Sequence, residues 1–433
     1  MKNREIYVKD PDQNLLLNNG VATVTDERSI EEFRTLRYEL ETFVCEGEYA
    51  RGLKHILETY LANLDRPEQP GVWVSGFFGS GKSHFIKMLR ALLTDFVFPQ
   101  DGATARGLTR LPAEVADPLK ELSTQGKRMG DLHAASGTLG AGAGDNVRMA
   151  LLAMVFKSVD LPEQYPLARF VIWLRDNGFL EPMKAAISQA GRNWDTELRN
   201  LYVSPYIAQA LLTVYPDFAP NAQEVHALLK NQYPNVEDIS NKEMVDVMQD
   251  ALEREGRLPL TLIALDEVQQ YIGENTDRAY KIQELTEACC KKFAGRLLFV
   301  ATGQTALTGT PLLQKLQGRF PVPIELSDTD VETVIRRVIL AKKPDRIAPI
   351  NQIMTEHLGE ISRHLMGTKL EHRSDDSASF VLDYPLLPVR RRFWERILRS
   401  IDQAGTTGQL RNQLNVVHEA ARKTADLALG NVV

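Results

Sequence analysis

Gly76-Phe77-Phe78-Gly79-Ser80-Gly81-Lys82-Ser83 is the stretch that decides how this chain folds. It matches G-x-x-x-x-G-K-[ST] in full, follows the apolar run Val72–Ser75, and opens a helical pattern that reaches about Phe96. The glycines let successive backbone amides turn inward around phosphate oxygens, and the helix starting near Lys82 adds the positive end of its dipole. Lys82 is expected to reach the β- and γ-phosphates of a nucleotide, and the Ser83 hydroxyl to ligate Mg²⁺. Gly76 through Ser83 thus form the candidate nucleotide-binding set. His84 is carried with them, its ring expected against the sheet or in solvent.

A second part of such a site lies 184 positions after Lys82, where Leu262-Ile263-Ala264-Leu265 ends in Asp266-Glu267. Asp266 is placed to hold Mg²⁺ directly or through water, and Glu267 to polarise the attacking water as a general base. Glu267 argues for hydrolysis over passive binding. The next apolar strand ends Val300-Ala301-Thr302-Gly303-Gln304, and either Thr302 or Gln304 could contact both the γ-phosphate and the water. Arg319, just before the last strand, is expected to face a neighbouring subunit's nucleotide as an arginine finger. Arg411, opening a late helix, could reach the nucleotide of its own chain.

Around these motifs the pattern predicts five regions. Residues 1–28 form a hairpin-like segment, with a strand-like run at Ile6–Val8 and a turn at Asn19-Gly20. Residues 29–158 begin the core: Ser29 and Glu32 read as a capping box before a helix, a second helix carries Leu53, Ile56, Leu57, Tyr60 and Leu61, and a strand is expected at Asp131–Ala135. Residues 159–258 are a helical insertion punctuated by prolines. Residues 259–326 complete the core with Thr261–Leu265, Leu297–Ala301 and Pro323–Leu326. Near-continuous apolar strands of this kind belong to a parallel sheet covered on both faces. Residues 327–433 form a helical lid.

Three weaker features accompany them. Gly137, Gly140, Gly142 and Gly144 lack the closing step of a dinucleotide fingerprint and read as a flexible loop. Tyr384-Pro385-Leu386-Leu387-Pro388 reads as a stiff extended linker. Arg390-Arg391-Arg392-Phe393-Trp394, with Lys342-Lys343, could grip phosphates or stack a base, or reads as the exposed face of an amphipathic helix with Phe393, Ile397 and Leu398 packed inside.

Composition bounds the rest. The chain has 433 residues, is 25% charged and 43% hydrophobic, and carries a net charge of −6. That length predicts roughly two to four compact units, and the composition excludes disordered and collagen-like classes. No apolar run approaches the roughly 18 residues of a membrane span, and the first residues have no signal-peptide pattern. Cys45, Cys289 and Cys290 offer neither a disulfide framework nor metal-ligand spacing. Cytoplasmic placement with no membrane contact is expected. Residues 331–433 hold 16 Lys+Arg against 12 Asp+Glu, so residues 1–330 carry the remaining −10. A dedicated nucleic-acid binder would look more basic.

The phosphate loop, Leu265-Asp266-Glu267, the Thr302 strand, Arg319-Phe320 and a helical lid bearing Arg411 are together similar to the AAA+ ATPases, particularly their origin-recognition and signal-transducing relatives. More specifically, five segments resemble the N-terminal region of the BrxC/PglY ATPases of bacteriophage exclusion (BREX) defence systems. They are Ile6-Tyr7-Val8-Lys9-Asp10-Pro11, Val74 through Phe85, Ala134-Ala135-Ser136-Gly137-Thr138, Leu265 through Tyr271 and Tyr384 through Trp394. The resemblance implies an α/β P-loop NTPase core of AAA+/ORC-like type with a helical insertion and a C-terminal helical lid, binding ATP and Mg²⁺. It also implies homo-oligomers and partnership with a DNA methyltransferase and an alkaline-phosphatase-like protein. DNA would be met indirectly or through a missing C-terminal region, because family members usually continue well beyond the ATPase region and this chain reads as an N-terminal fragment. Two other functions fit the same motifs: a DNA-remodelling motor or initiator-type ATPase, and a nucleotide-responsive scaffold with little turnover.

Overall fold

The computed structural model describes residues 1–12, 24, 27–76, 80–139, 146–326, 331–363, 366–401 and 410–432. The expected turn at Asn19-Gly20, the loop centre Phe77-Phe78-Gly79, and Gly140, Gly142 and Gly144 lie outside the described residues.

Among the described residues, five parallel strands form one sheet: β1 Val72–Ser75, β2 Leu132–Thr138, β3 Leu260–Asp266, β4 Leu297–Gly303 and β5 Val322–Glu325, in the order β2-β3-β4-β1-β5. Every residue of β3 and β4 is buried, as their unbroken apolar runs require. Alternate residues feed opposite layers. Ile263, Leu265, Phe299, Ala301 and Trp73 pack under the helices Val147–Ser158, Asn241–Leu252 and Thr276–Lys292. Leu262, Ala264, Leu298, Val300, Val72 and Val74 pack under Ile30–Glu41, Gly47–Ala62, Lys82–Thr94 and Ala113–Met129. Each large side chain fully buried this way contributes about 1.5–3 kcal/mol, so the sheet is a rigid floor. Its register brings Ser75, Gly303, Asp266 and Thr138 to one edge.

The capping box forms: Glu32 N–H donates to Ser29 Oγ at 3.2 Å, and Ser29 N–H to a Glu32 carboxylate oxygen at 2.8 Å. The backbone N–H groups of Arg28 and Ser29 hold the Glu32 carboxyl below its ordinary pKa. A separate apolar cluster gathers Phe170, Leu174, Ile207, Leu211 and Leu229 from helices within the proline-punctuated stretch. No helix among the described residues is long and apolar enough to cross a membrane.

Four expectations are corrected. Strand β2 runs on to Thr138, because Ser136, Gly137 and Thr138 pair with Ala264, Leu265 and Asp266. Gly137 is therefore a strand residue, and a Cβ there would come within 2.6 Å of Met154 Sδ. Among the described residues Ile6–Val8 pairs with no strand, and residues 21–23 lie outside them. Asn3–Ile6 is a 3₁₀ turn, Tyr7 makes a single bridge to Lys342, and Ile6 and Tyr7 are buried among Ile335, Ile339, Val417 and Ala421 of the C-terminal helices. Tyr384–Pro388 is no exposed linker. Tyr384, Leu386 and Leu387 are buried, and Tyr384 Oη donates to Asn3 Oδ1 at 2.6 Å.

The arginine-rich helix Pro388–Ile401 is inverted relative to expectation. Arg391 is buried against Asp383 and Glu332, and Arg392 forks onto Asp376 at 2.6 and 2.8 Å, while Phe393 and Ile397 are 45% and 40% exposed. Asp383 also takes a two-pronged bond from Arg336 at 2.7 and 2.9 Å. Buried carboxylates with planar guanidinium partners outweigh the local apolar pattern, since an unpaired buried carboxylate costs several kcal/mol. The side chains of Trp394 and Leu398 lie outside the described residues.

Candidate active site

The phosphate loop leaves β1 at Gly76 and enters the helix Lys82–Thr94 at Gly81, whose φ of +88° is left-handed. A Cβ at Gly81 would sit 1.9 Å from Tyr49 Oη, and one at Gly76 would sit 2.5 Å from Ser80 Oγ. Close approach thus requires both glycines, and Gly81 is required by its conformation as well. Tyr49, from the helix Gly47–Ala62, donates its hydroxyl to the Ser80 carbonyl at 2.8 Å and braces the loop from below. Ser80 Oγ is buried with no hydrogen-bond partner among the described residues. Lys82 Nζ donates to the Gly76 carbonyl at 2.6 Å, folding back across the cradle. Burial lowers the Lys82 pKa, and the nearby Asp266 and Glu267 carboxylates oppose that shift. Ser83 stands half-buried in the first helical turn.

Across the sheet edge, Asp266 is 3% exposed and Thr302 fully buried. Thr302 Oγ1 donates to Asp266 Oδ1 at 2.6 Å and accepts the Glu267 N–H at 2.9 Å; that N–H also lies 3.0 Å from Asp266 Oδ1. This closed triangle fixes Glu267 at φ +58°, a conformation that costs a residue other than glycine about 1–3 kcal/mol. Burial first, then Asp266, raises the Glu267 carboxyl above its ordinary pKa, with Lys82 pulling the other way.

Because β4 lies between β1 and β3, two strand spacings of about 4.8 Å separate the phosphate loop from the carboxylates, roughly 10 Å in all. Between the two candidates on β4, Thr302 meets the Asp266 carboxylate and the Glu267 amide. Gln304 lies past the strand end with its side chain exposed, and its backbone N–H donates to Gln269 Oε1.

The remaining residues sit elsewhere. His84 packs its ring on Phe43, centroids 5.6 Å apart, with Glu39 and Lys87 as its charged neighbours, and burial lowers its pKa. The first turn of the helix sets it, half-buried, against the Phe43 ring and away from the sheet. Arg319 lies at the opposite end of the sheet, where its carbonyl accepts the Gly71 N–H ahead of β1, and its guanidinium pairs with Glu287 at 2.6 Å. It is therefore remote from this chain's own loop. Arg411 begins the helix Leu410–Thr424, and its side chain lies outside the described residues.

Tyr49 and Gln269 escape sequence reasoning, since neither sits in a motif whose spacing reports a contact with a distant loop. The donor set fits a magnesium nucleotide. The buried Ser80 hydroxyl, unpartnered among the described residues, and Lys82 line a cradle into which a side chain at Gly76 would intrude, opposite two carboxylates.

No protein-family model matches this chain. Among solved structures, a chain in the structure of Drosophila ORC bound to DNA is similar over 94% of this chain, at 12% identity and a TM-score of 0.32. This chain spans 66% of that chain's length.

Ionised Glu267 is the disfavoured form in the fold, so Glu267→Gln is expected to raise Tm at about pH 8, where the wild-type carboxyl is charged in both folded and unfolded states. The gain should shrink as pH falls through the raised folded pKa toward the unfolded value of about 4.3, because the wild-type carboxyl is then already protonated. Thermal melts across pH check this. A variant no more stable than wild type at the alkaline end contradicts it.

Proposed function

We propose that this chain binds ATP with Mg²⁺ and hydrolyses it as an AAA+-like ATPase, and that it serves a BREX-type bacteriophage-defence assembly. The observation that carries the hydrolytic reading is the Asp266–Thr302–Glu267 triangle facing Lys82 across one strand. A protein that only bound nucleotide would have no need to hold Glu267 in a costly backbone conformation with its carboxyl pKa raised.

In this reading Lys82 leaves the Gly76 carbonyl to meet the β- and γ-phosphates, and Gly76 and Ser80 through Ser83 present backbone N–H groups. Ser83 and Asp266 would hold Mg²⁺, which when bound neutralises phosphate charge. Glu267 accepts a proton from the attacking water, and Thr302 keeps both carboxylates in register. The defence role, with a DNA methyltransferase and an alkaline-phosphatase-like protein as partners, rests on the resemblance of the quoted segments. Arg319 would act in a neighbouring copy's site, exchanging Glu287 for phosphate.

Phosphate release tests the core of the proposal. Lys82→Ala is expected to abolish ATP binding. Glu267→Gln is expected to keep ATP binding and lose kcat by at least about 100-fold, the usual weight of a general base. Equal kcat for wild type and Glu267→Gln would leave a nucleotide-responsive scaffold instead.

A mixing series tests the action across subunits. Arg319→Ala chains should bind ATP normally and poison the turnover of wild-type chains in mixed oligomers. Turnover that falls only in proportion to the wild-type fraction, or monomers as active as oligomers, would contradict it.

A further inference from the structure

Gln269 sits in the first turn of the short helix Val268–Ile272, two residues beyond Glu267. Its Oε1 accepts two backbone N–H groups, from Gln304 at 2.6 Å and Thr305 at 2.9 Å, and its Nε2 donates to Thr305 Oγ1 at 3.2 Å. Trp73 holds the same loop from β1, its indole N–H donating to the Thr305 carbonyl at 3.1 Å. Gly303 permits this convergence: a Cβ there would lie 2.9 Å from Gln269 Oε1 and 2.2 Å from Trp73 Cζ2. The Glu267 carbonyl in turn accepts the N–H groups of Gln270 and Tyr271, so the turn carrying Gln269 is continuous with Glu267.

The ends of β3 and β4 are therefore tied twice. Thr302 anchors the amide of Glu267, and Gln269 anchors the turn that follows it. The Glu267 side chain leaves the backbone between these anchors, from a left-handed residue that keeps its conformation only while its surroundings hold it.

Resting on the hydrolytic reading above, we propose that Gln269 is a positioning residue for hydrolysis: by accepting the Gln304 and Thr305 amides, it locks the turn that aims Glu267 at the attacking water. The role calls for an acceptor oxygen at that reach. A glutamate supplies one, whereas a leucine of similar size supplies none.

The test uses the full chain, with steady-state phosphate release, affinity for a fluorescent ATP analogue, and thermal melts. Gln269→Leu is expected to lower kcat at least about tenfold, since a small misplacement of a catalytic group is enough for such a loss. Its nucleotide affinity should stay within about twofold of wild type, because the anchor acts on the turn and leaves the phosphate loop alone. Gln269→Glu should restore kcat to within about threefold of wild type. Gln269→Ala repeats the loss without added bulk, in case Gln269→Leu does not melt cooperatively.

The proposal is overturned if both acceptor-free variants keep wild-type kcat, if their affinity falls in step with kcat, or if Gln269→Glu is no better than Gln269→Leu. A wild-type chain that binds ATP and releases no phosphate overturns the hydrolytic reading itself, and this inference with it.

Discussion

The Thr302 hydroxyl is the contact on which the rest of this site depends. It donates to Asp266 and accepts from the Glu267 amide, so one oxygen ties the Asp266 carboxylate to the backbone that carries Glu267. It can do so only because β4 is inserted between the phosphate-loop strand and the acidic strand. Strand order thus places Thr302 between the phosphate-loop strand and the acidic strand.

That arrangement needs a rigid base, and the helix following the loop is held by charge as well as by apolar packing. Lys87 pairs with Glu39 at 2.7 Å and with Glu27 at 3.6 Å, and Arg90 also binds Glu27, with all four side chains nearly fully buried. Buried pairs add little net stability, because desolvation offsets most of their attraction. Breaking one is costly, however, so they fix the rotation of Lys82–Thr94 about its axis. Tyr49 then links the neighbouring helix to the Ser80 carbonyl. The same economy recurs in the C-terminal helices, where Asp383 gathers Arg336 and Arg391.

Much of this was legible in the chain. Short runs rich in Leu, Ile and Val located β1, β3, β4 and β5, and the phosphate loop and Asp266-Glu267 located the sheet edge where the candidate residues meet. What escaped depends on partners far away in sequence. Gly137 reads as loop until Leu265 pairs with it. Arg391 and Arg392 read as solvated until Asp383 and Asp376 arrive from another segment. Ile6 and Tyr7 look like a strand, although their burial is supplied by helices more than 300 residues later. Thr302 and Gln304 were indistinguishable by composition; the register places Thr302 on β4 against Asp266 and leaves Gln304 past the strand end at Gly303. Gln269 belongs to no spacing rule, since its partners are backbone amides of another strand's loop.

The proposed turnover of bound ATP rests on the carboxylates opposite Lys82. It is tested most directly by mixing excess protein with a limiting amount of ATP and Mg²⁺, quenching after a time series, and identifying the nucleotide recovered. Progressive conversion to ADP, abolished when the magnesium is chelated, is the predicted result. Tightly bound ATP recovered intact at every time would contradict it.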